Sequence, residues 1–178
     1  MSVKKHSKLK SLYTSGKWNE FINLSEKIFS NSSPAEIGYD MLLAIARARY
    51  ELKQLALAEK IIFEAINLNP VRTEAPKIYV DVLLKIKNYQ KALDIINRIL
   101  EVESDLNLLI NQIKILSFLN SSDEVIKKYK SIISDYPNAR NNSDLHNAVV
   151  MALVNDGRID DALSHCEANN LLSSNDKL

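Results

Sequence analysis

The sequence predicts an all-α solenoid of about five antiparallel helix pairs, and three observations support this prediction. A six-residue pattern that begins with a turn-forming or polar residue and ends with an apolar one recurs at 16–21, 53–58, 87–92, 120–125 and 157–162. Successive copies end 37, 34, 33 and 37 residues apart, a period typical of helical repeat proteins. The 178 residues include only three glycines and four prolines, too few for a loop-rich or all-β chain.

Each repeat is predicted to contain a first helix, a tight turn and a second helix. The residue that ends each pattern opens the second helix: Phe21, Ala58, Ala92, Val125 and Ala162. Mostly apolar residues lie twelve and nine positions before it, and four and seven after it, so they share helix faces. The predicted repeats span 2–33, 39–70, 73–104, 106–137 and 143–172 of a single domain over 1–172, and 173–178 form a polar tail.

Glycine and proline positions agree with these boundaries. Gly16 and Gly157 lie at the end of a predicted first helix, where a left-handed residue is favoured, and Asn120 can take the same conformation. Lys53 and Lys87 occupy the equivalent position and fit it least well. Prolines that end second helices follow at 70 and 137.

These features resemble the tetratricopeptide repeat family. The residues that carry the resemblance are Ala46, Ala58, Ala65 and Pro70 in the second repeat, Tyr79, Tyr89 and Ala92 in the third, and Gly157 and Ala162 in the fifth. The resemblance implies a right-handed superhelix. The chain departs from the family pattern at Phe21 and Val125, which replace a small residue, and at Arg49, which lies in an otherwise apolar row.

The resemblance also implies a concave groove, lined by the first helices, that binds a peptide or a partner domain. By spacing, the predicted groove residues are Lys10, Tyr13, Asp40, Leu43, Arg47, Tyr50, Glu74, Lys77, Asp81, Asn107, Ile110, Asn111, Lys114, Asn147 and Met151. Among them, Arg47, Lys77 and Lys114 could form a basic stripe. Aromatic and amide side chains could add contact area and hydrogen bonds to a partner.

The sequence contains no pattern that predicts catalysis. Histidines at 6, 146 and 165 form no metal-binding motif, and a lone cysteine, Cys166, can form neither a zinc centre nor an intrachain disulfide. We therefore expect no enzyme, cofactor or metal. A net charge of +1 favours neither nucleic acid nor an anionic membrane, and no apolar run is long enough for a membrane span. These features are typical of a cytoplasmic protein.

The predicted function is non-catalytic protein–protein interaction, with alternatives that the sequence leaves open. The chain could be a targeting or oligomerisation arm of a larger enzyme or complex, for example in surface-polysaccharide synthesis. It could form a homodimer through its last repeat, because only Leu171, Leu172 and the polar tail follow that repeat. A ligand-sensing regulator is a further alternative, and a free-standing enzyme ranks last.

Overall fold

Residues 3–169 of a computed structural model are described here, with side chains from Lys5 onward. Eleven α-helices and one 3₁₀ helix lie in this range. The α-helices are α1 (Val3–Thr14), α2 (Trp18–Phe29), α3 (Pro34–Ile37), α4 (Tyr39–Glu51), α5 (Leu55–Leu68), α6 (Glu74–Lys85), α7 (Tyr89–Leu100), α8 (Leu106–Phe118), α9 (Ser122–Asp135), α10 (Ser143–Asn155) and α11 (Ile159–Ala168). The 3₁₀ helix is Pro137–Asn141. The predicted all-α class is confirmed. Leu171, Leu172 and the predicted tail lie outside the described residues.

The chain divides into an N-terminal unit, Met1–Asn88, and a C-terminal unit, Tyr89–Leu178. The first unit contains α1 to α6 and the second contains α7 to α11. None of the described helices is both long and apolar enough to cross a membrane.

The core of the N-terminal unit forms along the predicted apolar rows. Leu9 and Leu12 of α1 pack with Phe21 and Ile22 of α2 and with Ala48 of α4. Alanines at 46, 58 and 65 have no exposed surface, so their small side chains let α4 and α5 approach closely. In the first repeat the larger Phe21 fills the corresponding space and is almost fully buried.

The C-terminal unit has its own core between α8, α9, α10 and α11. Ile113 and Leu116 of α8 pack with Val125 and Ile132 of α9, and Val149 of α10 joins the same cluster. All five residues predicted to open a second helix are buried in one or other unit, as the repeat pattern predicts. Cys166 of α11 is half-buried.

All five turns within the helix pairs have one geometry. Gly16, Lys53, Lys87, Asn120 and Gly157 each have a positive φ, between 56° and 76°. The following residue donates its N–H to a carbonyl five residues earlier, as in Lys17 to Leu12 and Gln54 to Arg49 at 3.0 and 2.9 Å. This hydrogen bond satisfies a free carbonyl at the end of the first helix. Even the two lysines adopt the left-handed conformation.

Candidate functional site

A groove of about 420 Å³ opens in the N-terminal unit between α1, α4 and α6. Its walls include seven of the residues that the spacing predicts: Tyr13, Asp40, Leu43, Arg47, Glu74, Lys77 and Asp81. Ala44 and Ile78 complete the lining. The groove therefore combines apolar side chains with charges of both signs.

An ion pair between α4 and α6 neutralises part of the charge in the groove. Arg47 Nη1 lies 2.8 Å from Asp81 Oδ2, and the two residues are 34 positions apart in the chain. The guanidinium of Arg47 also lies 5.6 Å from the centre of the Tyr50 ring. Burial raises the pKa of Tyr50, and the Asp81 carboxylate raises it further. Arg47 therefore neutralises a groove acid and contributes less free positive charge than a basic stripe requires.

Arg72, which the repeat spacing does not identify, holds two acids at the end of the groove. It binds Asp40 and Glu74, each at 2.9 Å, and its guanidinium lies 4.1 Å from the centre of the Tyr39 ring. Its hydrogen bond to Glu74 lowers the pKa of that carboxyl and raises the pKa of Arg72. Arg72 precedes α6 in a connecting segment, where helical periodicity does not determine side-chain direction.

Tyr13 is held rigidly at the α1 side of the groove. Its ring contacts the rings of Trp18 and Phe21 edge-on, with centroid distances of 5.4 and 5.5 Å. Because aromatic packing fixes its position, Tyr13 would lose little conformational entropy on binding a partner. Lys10, predicted on the same helix, is exposed but does not line the groove.

The C-terminal unit presents a more amide-rich surface at the equivalent positions of α8 and α10. Asn107 and Asn147 are exposed, and Asn111 and Met151 are half-buried. Lys114 binds Asp144 at 3.1 Å, so this predicted member of the basic stripe is also paired with an acid from the next first helix.

Ile110 is a correction to the predicted groove. Its side chain is only 6% exposed and belongs to the core cluster of α8, α9 and α10. Because α8 packs against neighbours on several sides, its apolar residues are buried beyond a single stripe. Ile110 therefore offers almost no surface to a partner.

Two histidines that are 19 residues apart in the chain meet in the C-terminal unit. Nε2 of His146 lies 2.7 Å from the carbonyl oxygen of Arg140, which can only accept, so Nε2 carries the proton. Nδ1 of a neutral His146 then accepts from Nε2 of His165 at 3.0 Å. The Tyr129 ring contacts both imidazoles. His146 is thus a buried histidine with both ring nitrogens bonded.

Among residues 3–169, no group of three or more histidine, cysteine or acidic side chains could hold a metal ion.

The helix pairs and their repeated turn define a tetratricopeptide-like fold.

Comparison with solved structures gives the same fold. The chain aligns with a structure of MamA AMB-1 over 96% of its length and 90% of that chain, at 19% identity and a TM-score of 0.77. MamA from MSR-1 aligns over 94% of each chain at 17% identity and a TM-score of 0.76. MamA 41-end from Desulfovibrio magneticus RS-1 aligns over 98% and 96%, at 15% identity and a TM-score of 0.79.

At these identities the likeness concerns the fold alone. No protein-family model matches the sequence, and neither does any curated protein.

Proposed function

We propose that the chain is a non-catalytic protein-binding module whose main contact surface is the groove between α1, α4 and α6. The observation that carries this proposal is the meeting of seven predicted residues around one cavity of about 420 Å³. An apolar strip of Tyr13, Leu43 and Ile78 lies among acids and bases that largely balance. Such a surface suits a polypeptide with one or two apolar residues and no strong net charge.

Most of the favourable free energy of partner binding in the groove is expected to come from apolar contacts. Arg47 and Asp81 satisfy each other in the unbound chain, so a partner gains little by meeting either charge alone. Burying Leu43 and Ile78 against an apolar side chain removes non-polar surface from water and supplies the favourable term. The amides of Asn107, Asn111 and Asn147 are proposed to hydrogen-bond a polypeptide backbone in the C-terminal unit.

Site-specific photo-crosslinking in the native cells tests this proposal. A photoreactive benzoyl-phenylalanine replaces Leu43 in the groove, and in a matched chain it replaces Leu68, an exposed leucine of α5 outside the groove. We expect a covalent product with one partner from position 43 and none from position 68. Equal products from both positions, or none from position 43, would contradict the groove as the binding site.

A charge exchange then tests whether the partner contacts the charged side chains of the groove. Arg47→Asp alone breaks the ion pair and places two acids together, whereas Arg47→Asp with Asp81→Arg restores a pair in the opposite direction. If the partner contacts these charges, crosslinking from position 43 falls in both variants. If the ion pair only holds α4 against α6, the double variant recovers the product.

The last helix favours a second candidate function, self-association. Ile159 and Leu163 are 49% and 51% exposed, and Cys166 lies on the same face of α11 at the i, i+4, i+7 spacing. We propose that this apolar stripe contacts a second copy, as in the homodimer or the oligomerisation arm considered from the sequence. Analytical ultracentrifugation should show a dimer that Leu163→Lys converts to monomer. A parent chain that remains monomeric up to about 1 mM would exclude this candidate.

A further inference from the structure

A second cavity in the N-terminal unit lies beside a different face of α4. It has a volume of about 350 Å³ and is formed by α2, α3, α4 and α5. Its apolar walls are Ile22, Phe29, Ile37, Leu42, Ile45 and Ile61. This volume falls at the lower end of the range for small-molecule pockets, which are also mostly apolar with a few polar groups.

Arg49 supplies the principal polar group of this cavity. Its side chain is 13% exposed, donates from Nη2 to Glu26 and from Nη1 to Gln54, and lines the cavity. The remaining guanidinium nitrogen, Nε, is buried, and its N–H has no hydrogen-bond partner among the described residues. This N–H is too buried to reach a ligand, but Nη1 and Nη2 each carry a second N–H that can donate to an acceptor in the cavity.

The charges around the cavity restrict the kind of acceptor that fits. Glu26 already neutralises Arg49, and Glu64 and Lys60 add one acid and one base to the lining. An anionic ligand would have to compete with Glu26 and would lie near a second carboxylate. A neutral carbonyl oxygen can accept from Arg49 without displacing Glu26.

We propose that this cavity binds a neutral, mainly apolar small molecule that carries one carbonyl oxygen. The apolar part contacts Leu42, Ile45 and Ile61, and the carbonyl accepts from the Arg49 guanidinium. This site is separate from the partner groove, whose α4 residues are Asp40, Leu43, Ala44 and Arg47.

Three probes of similar size test the proposal by NMR titration of the ¹⁵N-labelled chain. They are 4-phenyl-2-butanone, which has a neutral carbonyl, 3-phenylpropanoate, which has a carboxylate, and butylbenzene, which has no oxygen. From the typical affinity per ligand atom, the ketone should bind with a Kd on the order of 1 mM and shift backbone amides lining the cavity. The other two should bind about tenfold more weakly.

Two variants and a control separate this site from non-specific binding. Ile61→Trp keeps both Arg49 and Glu26 and should fill the cavity and abolish ketone binding, whereas Val71→Trp, at an exposed position outside the cavity, should leave ketone binding unchanged. Glu26→Gln removes the competing charge and should improve binding of 3-phenylpropanoate about fivefold.

Several results would overturn the proposal. These are equal binding of ketone and carboxylate to the parent chain, shifts that lie outside the cavity, or unchanged ketone binding in Ile61→Trp. N-acetyl-phenylalanine methylamide offers the same groups on a peptide. Binding of this amide at least tenfold tighter than the ketone would identify the cavity as a peptide site and contradict a small-molecule ligand.

Discussion

Arg49 in the N-terminal unit and His146 in the C-terminal unit are both largely buried nitrogen-bearing side chains, and the two units accommodate them differently. In the N-terminal unit Arg49 retains its charge, binds an exposed carboxylate of Glu26 and lines an open cavity. In the C-terminal unit His146 is 2% exposed, and both of its nitrogens are bonded within a closed core. A neutral imidazole can be enclosed at low cost, whereas a guanidinium must keep a counter-charge and some access to water.

The predicted contact surfaces differ in the same way. The groove of the N-terminal unit combines paired charges with aromatic and apolar side chains, whereas the equivalent surface of the C-terminal unit combines one ion pair, Lys114–Asp144, with three asparagines. Charge pairs that already satisfy each other resist rearrangement, whereas amides can donate and accept in many geometries. Under the proposed function, we expect the first surface to make a selective contact and the second to make a more general contact with a polypeptide backbone.

The largest expected effect on stability comes from removing the buried side chain of His146. His146→Ala leaves a cavity and removes the hydrogen-bond donor of the Arg140 carbonyl, so the free energy of unfolding should fall by about 3 kcal/mol. Urea unfolding followed by circular dichroism measures this change. His6→Ala, at an exposed position of α1, is the control and should change stability by less than about 0.5 kcal/mol. A loss below about 1 kcal/mol for His146→Ala would remove the contrast between the units.

A smaller loss of stability is expected when the Arg49–Glu26 ion pair of the N-terminal unit is broken. Glu26→Ala leaves the Arg49 charge largely buried without its carboxylate, and should cost about 1–2 kcal/mol because Glu26 itself is 62% exposed. Arg49→Met removes the buried charge and should change stability by less than about 1 kcal/mol. The same unfolding measurements apply. If Arg49→Met lowers the free energy of unfolding more than Glu26→Ala does, the hydrogen bonds of Arg49 stabilise the fold by more than the desolvation of its charge destabilises it.

The turns give a third contrast, because both left-handed lysines belong to the N-terminal unit. Lys53→Gly and Lys87→Gly should each stabilise the chain by about 0.5–1 kcal/mol, since glycine adopts φ near +59° without strain. Asn120→Gly, in the C-terminal unit, should gain less because asparagine tolerates this conformation. Thermal unfolding detects these gains. Lys60→Gly, inside α5, is the matched control and should destabilise by about 1 kcal/mol.

The smallest effect concerns pH and the partly buried His165. Burial lowers the pKa of His165, and the neighbouring His146 lowers it further. The unfolded chain therefore takes up a proton near pH 6.5 that the folded chain resists, so stability should fall as the pH drops from about 7.5 through 6.5. In His165→Gln this part of the pH dependence should disappear, whereas His6→Gln should retain it. If stability depends on pH equally steeply in His165→Gln, other titratable groups determine the pH dependence in this range.

Much of the secondary structure followed from local patterns. The repeated turn placed a left-handed residue at all five positions, including the two lysines, because the hydrogen bond from the next residue forms whatever the side chain. The five residues that open second helices are buried because every repeat needs an apolar contact at that point. The helices α5 and α9 end two residues before Pro70 and Pro137, because proline lacks the N–H that would continue each helix.

The helix pairs, their turns and most residues that line the groove of the N-terminal unit can be predicted from the sequence, because they depend on hydrogen bonds and periodicities within one repeat. The packing of helices against one another brings Arg47 to Asp81 and His146 to His165, buries Ile110 and leaves a cavity beside Arg49. Each of these depends on the distance and rotation between helices from different parts of the chain. Side-chain spacing along one helix does not specify those quantities.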